Sequence, residues 1–399
     1  MTGFRVSRRT LLAALLAAAI VTSGGCGDTR GIATGGSGSR APLTIGVVYS
    51  GTGPLAAYGR EYLQGFRAGM AYATSSTYRI GERWIDVTYV DDGSDPARAA
   101  AAAERLIAGG DLVIGGSTSS AAALRIAPIA ARRRVLFVSG SAPADAITGV
   151  NRYTFRSGRQ YAQQAQAAKA YLGTGRRVLV FAPASADGAD NVSAVKVVLG
   201  GAATVTSMTA PEGATDFTAY ARRIKTAKAD MLYVAWTGAT SRALWQALGR
   251  AGVFAATTVV SSLDIKSSWK FLGAVAGKVR LVAPFFNGAA SQLPPFVSLR
   301  AQTRGGKPDL TGPDGFAAAQ MMVHALQSDP NDVNGMIRSL EGYTFDSAKG
   351  TYQIRAADHA LLQPMFRARL VASGAALTPV LTGTVSAGDA APPVTAMRG

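Results

Sequence analysis

From Leu43 onward the chain alternates between two hydrophobic patterns. Short continuous runs of β-branched and aromatic residues predict buried strands. Longer stretches with apolar residues three or four apart predict amphipathic helices. LTIGVVY (43–49) is the first run, ended by Ser50-Gly51, and Pro54 then opens a helix carrying Tyr58, Tyr62, Phe66 and Met70 at helical spacing. Further strands are predicted at 84–90 (WIDVTYV), 111–116 (DLVIGG) and 135–140 (VLFVSG). Between them Ser94-Asp95-Pro96 caps and starts an Ala-rich helix to about Ile107, and another helix runs from Ser119 to Arg132. A second series places strands at 177–182, 203–208, 231–236 and 257–262. Its helices start at Tyr161, run through Val195, and cover 217–227 and 239–250.

Strands alternating with helices predict an α/β fold with parallel sheets covered on both faces. Right-handed crossovers make each series a doubly wound lobe. Ligands in such lobes bind beyond the carboxyl ends of the strands, so the tips at 50–58, 91–94, 115–120, 139–143, 182–191, 236–239 and 261–265 are where a site is expected. The tips SGTGPLAAYG, GGSTSS, SGSAPAD and SSLDI are small, glycine-rich and hydroxyl-bearing. Such loops bring backbone N–H groups and hydroxyls close to a small polar ligand. Taken one at a time, each reads better as a capped strand-to-helix turn, and it is several alike on one edge of a lobe that point to a site.

The 399 residues exceed one comfortable core and fit two domains. A single cysteine excludes a disulfide framework and any Cys-rich metal site, and two histidines, His324 and His359, leave little room for histidine-centred chemistry. No cofactor or metal is expected. The G-x-S-x-G, H-E-x-x-H and C-x-x-C motifs are absent, which removes sequence support for hydrolase, zincin and redox enzymes. Gly273 to Val279 (GAVAGKV) is one residue short of a phosphate loop, with Val279 where a magnesium-binding hydroxyl belongs, and reads as a turn.

Ahead of the alternating body, Arg5, Arg8 and Arg9 precede an apolar stretch from Leu11 to Val21 and then Ser23-Gly24-Gly25-Cys26. That layout predicts an export signal over 1–25. The apolar stretch falls short of the roughly 20 residues a membrane span needs. Residues 26–41 form a flexible tether, Gly/Ser-rich and aperiodic. The formal charge of +17 admits a polyanion, an anionic surface or a basic background. An exported protein meets little nucleic acid, so no nucleic-acid partner is expected.

LTIGVVYSGTGPLAAYGREYLQGFRAGM, YVDDGSDPARAAAAAERLI, the GGSTSS turn and RYTFRSGRQYAQQ resemble the leucine/isoleucine/valine-type solute-binding proteins of bacterial ABC transporters. The resemblance runs from about residue 43 to about 355 and is densest near its start. It implies two α/β lobes of the periplasmic-binding-protein type I joined by three crossing segments. The first lobe would be 42–157 with 285–345 and the second 158–284 with 346–385, followed by a tail at 386–399. Crossings would fall at Arg156-Ser157, Pro284-Phe285 and 345–350.

In that family the α-carboxylate of the ligand is held by loops that correspond here to Thr118-Ser119 and Ser139-Gly140-Ser141-Ala142. Tyr58 matches an aromatic residue beside the ligand side chain, though packing in the first helical turn would also account for it. The second lobe departs from the family pattern. Asp187-Gly188 stands where Tyr-Gly is usual, and Asp264 lies one position beyond the usual acidic partner of the α-ammonium. Trp236 falls near a further aromatic contact. Asp264, with Asp187 second, is the expected ammonium partner, and surface turn or cap roles are the alternative for both. These departures leave open a relative's ligand: an amide, urea or an aromatic acid.

Ser7-Arg8-Arg9-Thr10-Leu11-Leu12 resembles a twin-arginine signal, with an ordinary Sec signal as the alternative. Gly24-Gly25-Cys26 resembles a lipobox, with Ser23 where Leu or Val is usual. Together these imply a monomer anchored to the outer face of the membrane by an acyl group on Cys26, with an ABC permease as partner. The rival is a ligand-binding sensor of the same fold, which would carry a membrane span or signalling module after residue 355. The stretch from Pro379 is rich in Ala, Pro and Gly and holds no long apolar run.

Overall fold

The computed structural model describes residues 41–374 and 376–398. The expected export signal, Cys26 and the expected tether through residue 40 lie outside the described residues. The first lobe opens with β1 (Leu43–Tyr49), α1 (Ala56–Ala73), the short β2 (Arg79–Ile80) and β3 (Arg83–Asp91). α2 (Pro96–Ala108), β4 (Val113–Gly116), α3 (Ser120–Arg133), β5 (Leu136–Ser139) and β6 (Thr154–Arg156) follow. The sheet order is β2-β3-β1-β4-β5-β6, parallel except for the β2–β3 pair.

The helix starts follow local chemistry. The Asp95 carboxylate accepts the N–H groups of Ala97 at 2.7 Å and Arg98 at 3.1 Å, with Pro96 in the first turn. Ser119 Oγ accepts from Ala122 at 3.3 Å at the head of α3. The helix expected from Pro54 begins at Ala56. Pro54 and Leu55 belong to a turn in which Ser94 Oγ accepts the Leu55 N–H at 3.0 Å and donates to the Thr52 carbonyl at 2.7 Å.

The second lobe runs α4 (Tyr161–Lys169), β7 (Arg177–Pro183), α5 (Ala186–Leu199), β8 (Thr204–Ala210), α6 (Thr218–Thr226), β9 (Met231–Val234), α7 (Ser241–Arg250), β10 (Thr258–Ser262) and β11 (Arg280–Ala283). The stretch before β11 that only partly matches a phosphate loop is irregular 3-10 helix broken at Gly273, whose φ of 52° is left-handed.

After β11 the chain rejoins the first lobe with α8 (Pro294–Gln302), α9 (Gly312–Ser328), α10 (Val333–Leu340) and a small antiparallel sheet of β12 (Thr344–Ser347), β13 (Gly350–Ile354) and β14 (Leu361–Leu362). Phe345, Tyr352, Ile354 and Leu361 are buried in the same core as Ile45, Val47, Phe66 and Val138. Residues 346–362 therefore pack with the first lobe and not the second, and the passage expected at 345–350 moves to Gln363-Pro364. The chain then enters the second sheet as β15 (Met365–Ser373) and β16 (Ala376–Val385), which complete the order β16-β15-β11-β10-β9-β7-β8, with β15 and β16 antiparallel.

Two close approaches define the first core. A Cβ on Gly65 of α1 would stand 1.8 Å from the Gly312 carbonyl oxygen, and one on Gly315 of α9 would stand 2.0 Å from that of Tyr62. The two helices meet backbone to backbone although some 250 residues separate them in sequence. In each sheet the strand order reverses beside the first strand of the lobe, between β1 and β4 and between β7 and β9. The crevices at those two reversals face a common cleft.

Beyond β16 the chain folds back along the crossings. Gln166 of α4 donates to the Ala391 carbonyl at 3.3 Å, and Arg355 donates to the carbonyls of Pro392 and Pro393 at 2.8 and 3.2 Å. The Thr395 N–H donates to Asp358 Oδ2 at 3.0 Å, and the Arg398 N–H to the Gly149 carbonyl at 2.8 Å. Among the described residues no helix is long and apolar enough to cross a membrane.

Candidate functional site

A cavity of about 230 Å³ lies between the lobes. It is smaller than the roughly 300–1,000 Å³ of drug-sized sites and suits a metabolite of amino-acid size. Tyr58, Thr118, Ser141, Asp187, Trp236 and Asp264, all singled out from the sequence, line it together. Ser119, Ser139 and Ala142 do not. Ser119 is occupied as the α3 cap. The Ser139 carbonyl accepts from the Ser157 N–H at 2.9 Å, and the Ala142 carbonyl accepts from Arg156 at 2.8 Å, so both backbones serve the first crossing.

On the first-lobe side, Tyr58 projects from the first turn of α1, and its hydroxyl donates to Asp264 Oδ1 at 2.7 Å across the cleft. Thr118, past the end of β4, donates to Ser50 Oγ at 3.1 Å. Ser141, past β5, is 3% exposed and lines the cavity, and its hydroxyl lies beside the buried Asp314 carboxylate.

On the second-lobe side, Asp187 sits in the first turn of α5, which is capped by Ser185. Trp236 follows β9. Its indole N–H donates to Thr240 Oγ1 at 3.0 Å, and its ring stacks on Phe181 with centroids 5.6 Å apart. That anchoring fixes the ring plane at the cavity edge. Asp264 follows β10, and its Oδ1 also accepts the Ile265 N–H at 2.8 Å. Burial pushes the Asp264 carboxyl above the usual carboxylate range, and the bond from Tyr58, the Ile265 N–H and the charge of Arg159 partly offset this.

Sequence reasoning passed over several residues of the cavity wall, chief among them Arg159, Tyr161 and Gln164. All three fall within RYTFRSGRQYAQQ, the segment that carries the first crossing, and no strand-tip rule points to them. Arg156 explains how the segment is held. It is fully buried and donates to the carbonyls of Gly158, Ala144, Ala142 and Arg159 at 3.2, 3.1, 2.8 and 2.6 Å, and to Thr148 Oγ1 at 3.0 Å. Burial pushes its guanidinium down to about 10. With the loop so fixed, Arg159 reaches the cavity, where one terminal nitrogen lies 3.4 Å from the Ser141 carbonyl and its buried Nε has no protein acceptor. Gln164 donates to Ser262 Oγ at 2.6 Å. Burial and the adjacent Asp187 carboxylate raise the Tyr161 hydroxyl well above its ordinary value.

His324 and His359 lie away from the cavity and serve packing. His324 stacks on Tyr343 and His359 on Phe155, with centroids 3.6 and 3.8 Å apart. Among the described residues no group of three or more His, Cys, Asp or Glu side chains is placed to hold a metal ion.

Two doubly wound lobes, three crossings and a polar cavity between them define a two-lobed ligand-binding protein. The sequence profile of the family described as periplasmic binding protein matches residues 42–375, and the chain belongs to that family. A Leu/Ile/Val-binding protein of Rhizobium johnstonii is 29% identical over 201 residues, 49% of this chain and 54% of that protein, so the match spans about half the length of this curated relative. The solved structure of an ABC-type branched-chain amino acid transporter from Rhodopseudomonas palustris superposes with a TM-score of 0.77 and 29% identity, covering 88% of this chain and 99% of that one. Two others share the fold. A leucine-, isoleucine-, valine-, threonine- and alanine-binding protein of Brucella ovis has a TM-score of 0.78 and 20% identity, covering 88% of this chain and 97% of its own. An R. palustris solute-binding protein in complex with 4-hydroxybenzoate has a TM-score of 0.74 and 18% identity, covering 87% and 97%.

Proposed function

We propose that this chain is an extracytoplasmic solute-binding protein that closes its lobes over an amino acid or a related small polar compound and delivers it to an ABC permease. The observation that carries this reading is the cavity wall itself. It brings Arg159 of the first crossing and Thr118 and Ser141 of the first lobe together with Asp264 of the second. A ligand carboxylate would lie against the former and an ammonium against the latter, with Tyr58 and Trp236 beside the side chain. Charge-assisted hydrogen bonds contribute about 1.5–3 kcal/mol each and one buried aliphatic side chain roughly 1.5–3 kcal/mol. Together these reach the about −8 kcal/mol of micromolar binding.

The mechanism is hinge closure. The ligand engages the first lobe and the crossing, and Asp187, Trp236 and Asp264 complete their contacts only when the lobes meet, so the ligand shifts the population toward the closed form. Water expelled on closure strengthens the remaining polar contacts. The chain acts as a monomer tethered through acylated Cys26, whose single lipid-bearing position would hold an otherwise soluble protein at the outer face of the membrane.

A second reading, capture or sensing of an aromatic acid, draws on the same features. Arg159 fits a benzoate carboxylate, and the Tyr58 and Trp236 rings fit its face. A thermal-shift panel of amino acids, amides, urea and aromatic acids tests both, and no stabilisation by any class sinks solute capture. Membrane fractionation of Cys26→Ser tests the tether. Release into the soluble fraction is expected, and continued sedimentation with membranes rules out lipidation at this position.

A further inference from the structure

The charges that line the cavity do not balance. Asp187, Glu212 and Asp264 face it from the second lobe, and among the described residues Arg159 is the one cationic side chain in its wall. None of the four takes part in any of the ion pairs among the described residues. An α-amino acid with a neutral side chain would match Arg159 with its carboxylate and Asp264 with its ammonium, leaving the exposed carboxylates of Asp187, beside the Tyr161 hydroxyl, and Glu212 without a cationic partner.

The rings point the same way. Tyr58, Tyr161 and Trp236 line the cavity with these carboxylates, and an electron-rich aromatic wall beside acidic groups suits a cation better than an aliphatic chain. The buried Arg159 Nε, which has no protein acceptor, marks the first crossing as the place of the anionic group.

Taking the proposed solute capture as given, we infer that the preferred ligand carries a second cationic group. The class is a dibasic amino acid whose side-chain ammonium or guanidinium lies between Asp187, Glu212 and the aromatic rings, with its α-carboxylate at Arg159. Basic amino acids then bind more tightly than branched-chain ones, because only they neutralise the second-lobe carboxylates. The preference weakens with added salt, since Asp187 and Glu212 are exposed at the cleft rim and their attraction is screened.

Calorimetric titration of the full chain with L-lysine, L-arginine, L-leucine and 4-hydroxybenzoate at low and high salt tests this. The expected result is a dissociation constant at least tenfold lower for lysine or arginine than for leucine, with the ratio shrinking in salt. In the double variant Asp187→Asn, Glu212→Gln the ratio of leucine to lysine constants collapses toward one. Equal or tighter binding of leucine or 4-hydroxybenzoate overturns the dibasic assignment while solute capture stands. An unchanged ratio in the double variant overturns the roles of Asp187 and Glu212. Absence of binding by all four, together with an empty thermal-shift panel, overturns solute capture as well.

Discussion

Tyr58 and Asp264, 206 positions apart in sequence, share a 2.7 Å hydrogen bond that joins the first turn of α1 to the strand tip after β10 across the cleft. The bond has two consequences. It ties the lobes together, and it holds a carboxylate that lines the cavity.

Replacing Tyr58 with Phe keeps the ring and removes the donor. Loss of one hydrogen bond to a charged acceptor costs about 1.5–3 kcal/mol, part of which appears as a weaker closed form. A 3- to 30-fold rise in ligand dissociation constant by calorimetry is expected, with a faster off-rate. An unchanged constant would mean that the bond is given up when ligand binds.

Asp264→Asn separates the cost of burying this carboxylate from its use. The folded carboxyl titrates above its unfolded value because of burial. Between those two values the folded state holds the extra proton, so the carboxylate subtracts stability once pH rises through the folded value. The variant is therefore expected to melt at or above the wild-type temperature at neutral pH, yet to bind a ligand with an ammonium group at least tenfold more weakly. Wild-type affinity for such a ligand should fall on acidification sooner than an ordinary Asp near 3.9 would dictate, and the variant should lose that step. A lower melting temperature together with unchanged affinity would make Asp264 structural.

Arg159→Gln removes the guanidinium while leaving the loop, since Arg156 holds the backbone of this segment. Binding of carboxylate ligands should weaken by roughly 10- to 100-fold, the equivalent of about 1.5–3 kcal/mol, with little change in urea midpoint. Retained affinity would return the carboxylate to the Thr118 and Ser141 loops alone.

Lys349 and Asp314 form a fully buried ion pair with 3.9 Å between charges. Burial, opposed by the Asp314 charge, pushes the Lys349 ammonium down to about 8. Because the unfolded lysine titrates higher, the unfolded state binds more protons above that value, and the contribution of this residue makes stability rise with pH from about 8 toward about 10.4. Lys349→Met strands the Asp314 charge and should cost about 3–5 kcal/mol, whereas adding Asp314→Leu should recover most of the loss. Urea unfolding of the two variants decides it. Equal destabilisation by the single and double variants would mean the pair is not coupled.

Strand-helix alternation made the two sheets legible, strand-tip logic gave the loops, and the family resemblance picked Tyr58, Thr118, Ser141, Asp187, Trp236 and Asp264 within them, which line one cavity. Two things escaped it. Arg159 lies on a crossing and not at a strand tip, and what aims it is Arg156, whose bonds to surrounding carbonyls leave no trace in hydrophobic periodicity. The passage at Gln363-Pro364 escaped because β12 to β14 are short and their apolar residues could serve either core. Only packing with Ile45 and Phe66 decides between them. Ser139 and Ala142 illustrate the opposite error, since a strand tip can be spent on bracing the hinge.

The backbone contact between α1 and α9 governs the order in which this protein can come into being. Ile45, Val47 and Val138 belong to a core that also includes Ala318, Met322 and Ile337, so a nascent chain must display that sheet face until most of the second lobe has been synthesised. Such long-range pairing slows folding and lengthens the exposure of apolar surface. It also means that no contiguous stretch of the gene encodes the first lobe, and an excised 42–157 fragment would present an uncovered sheet.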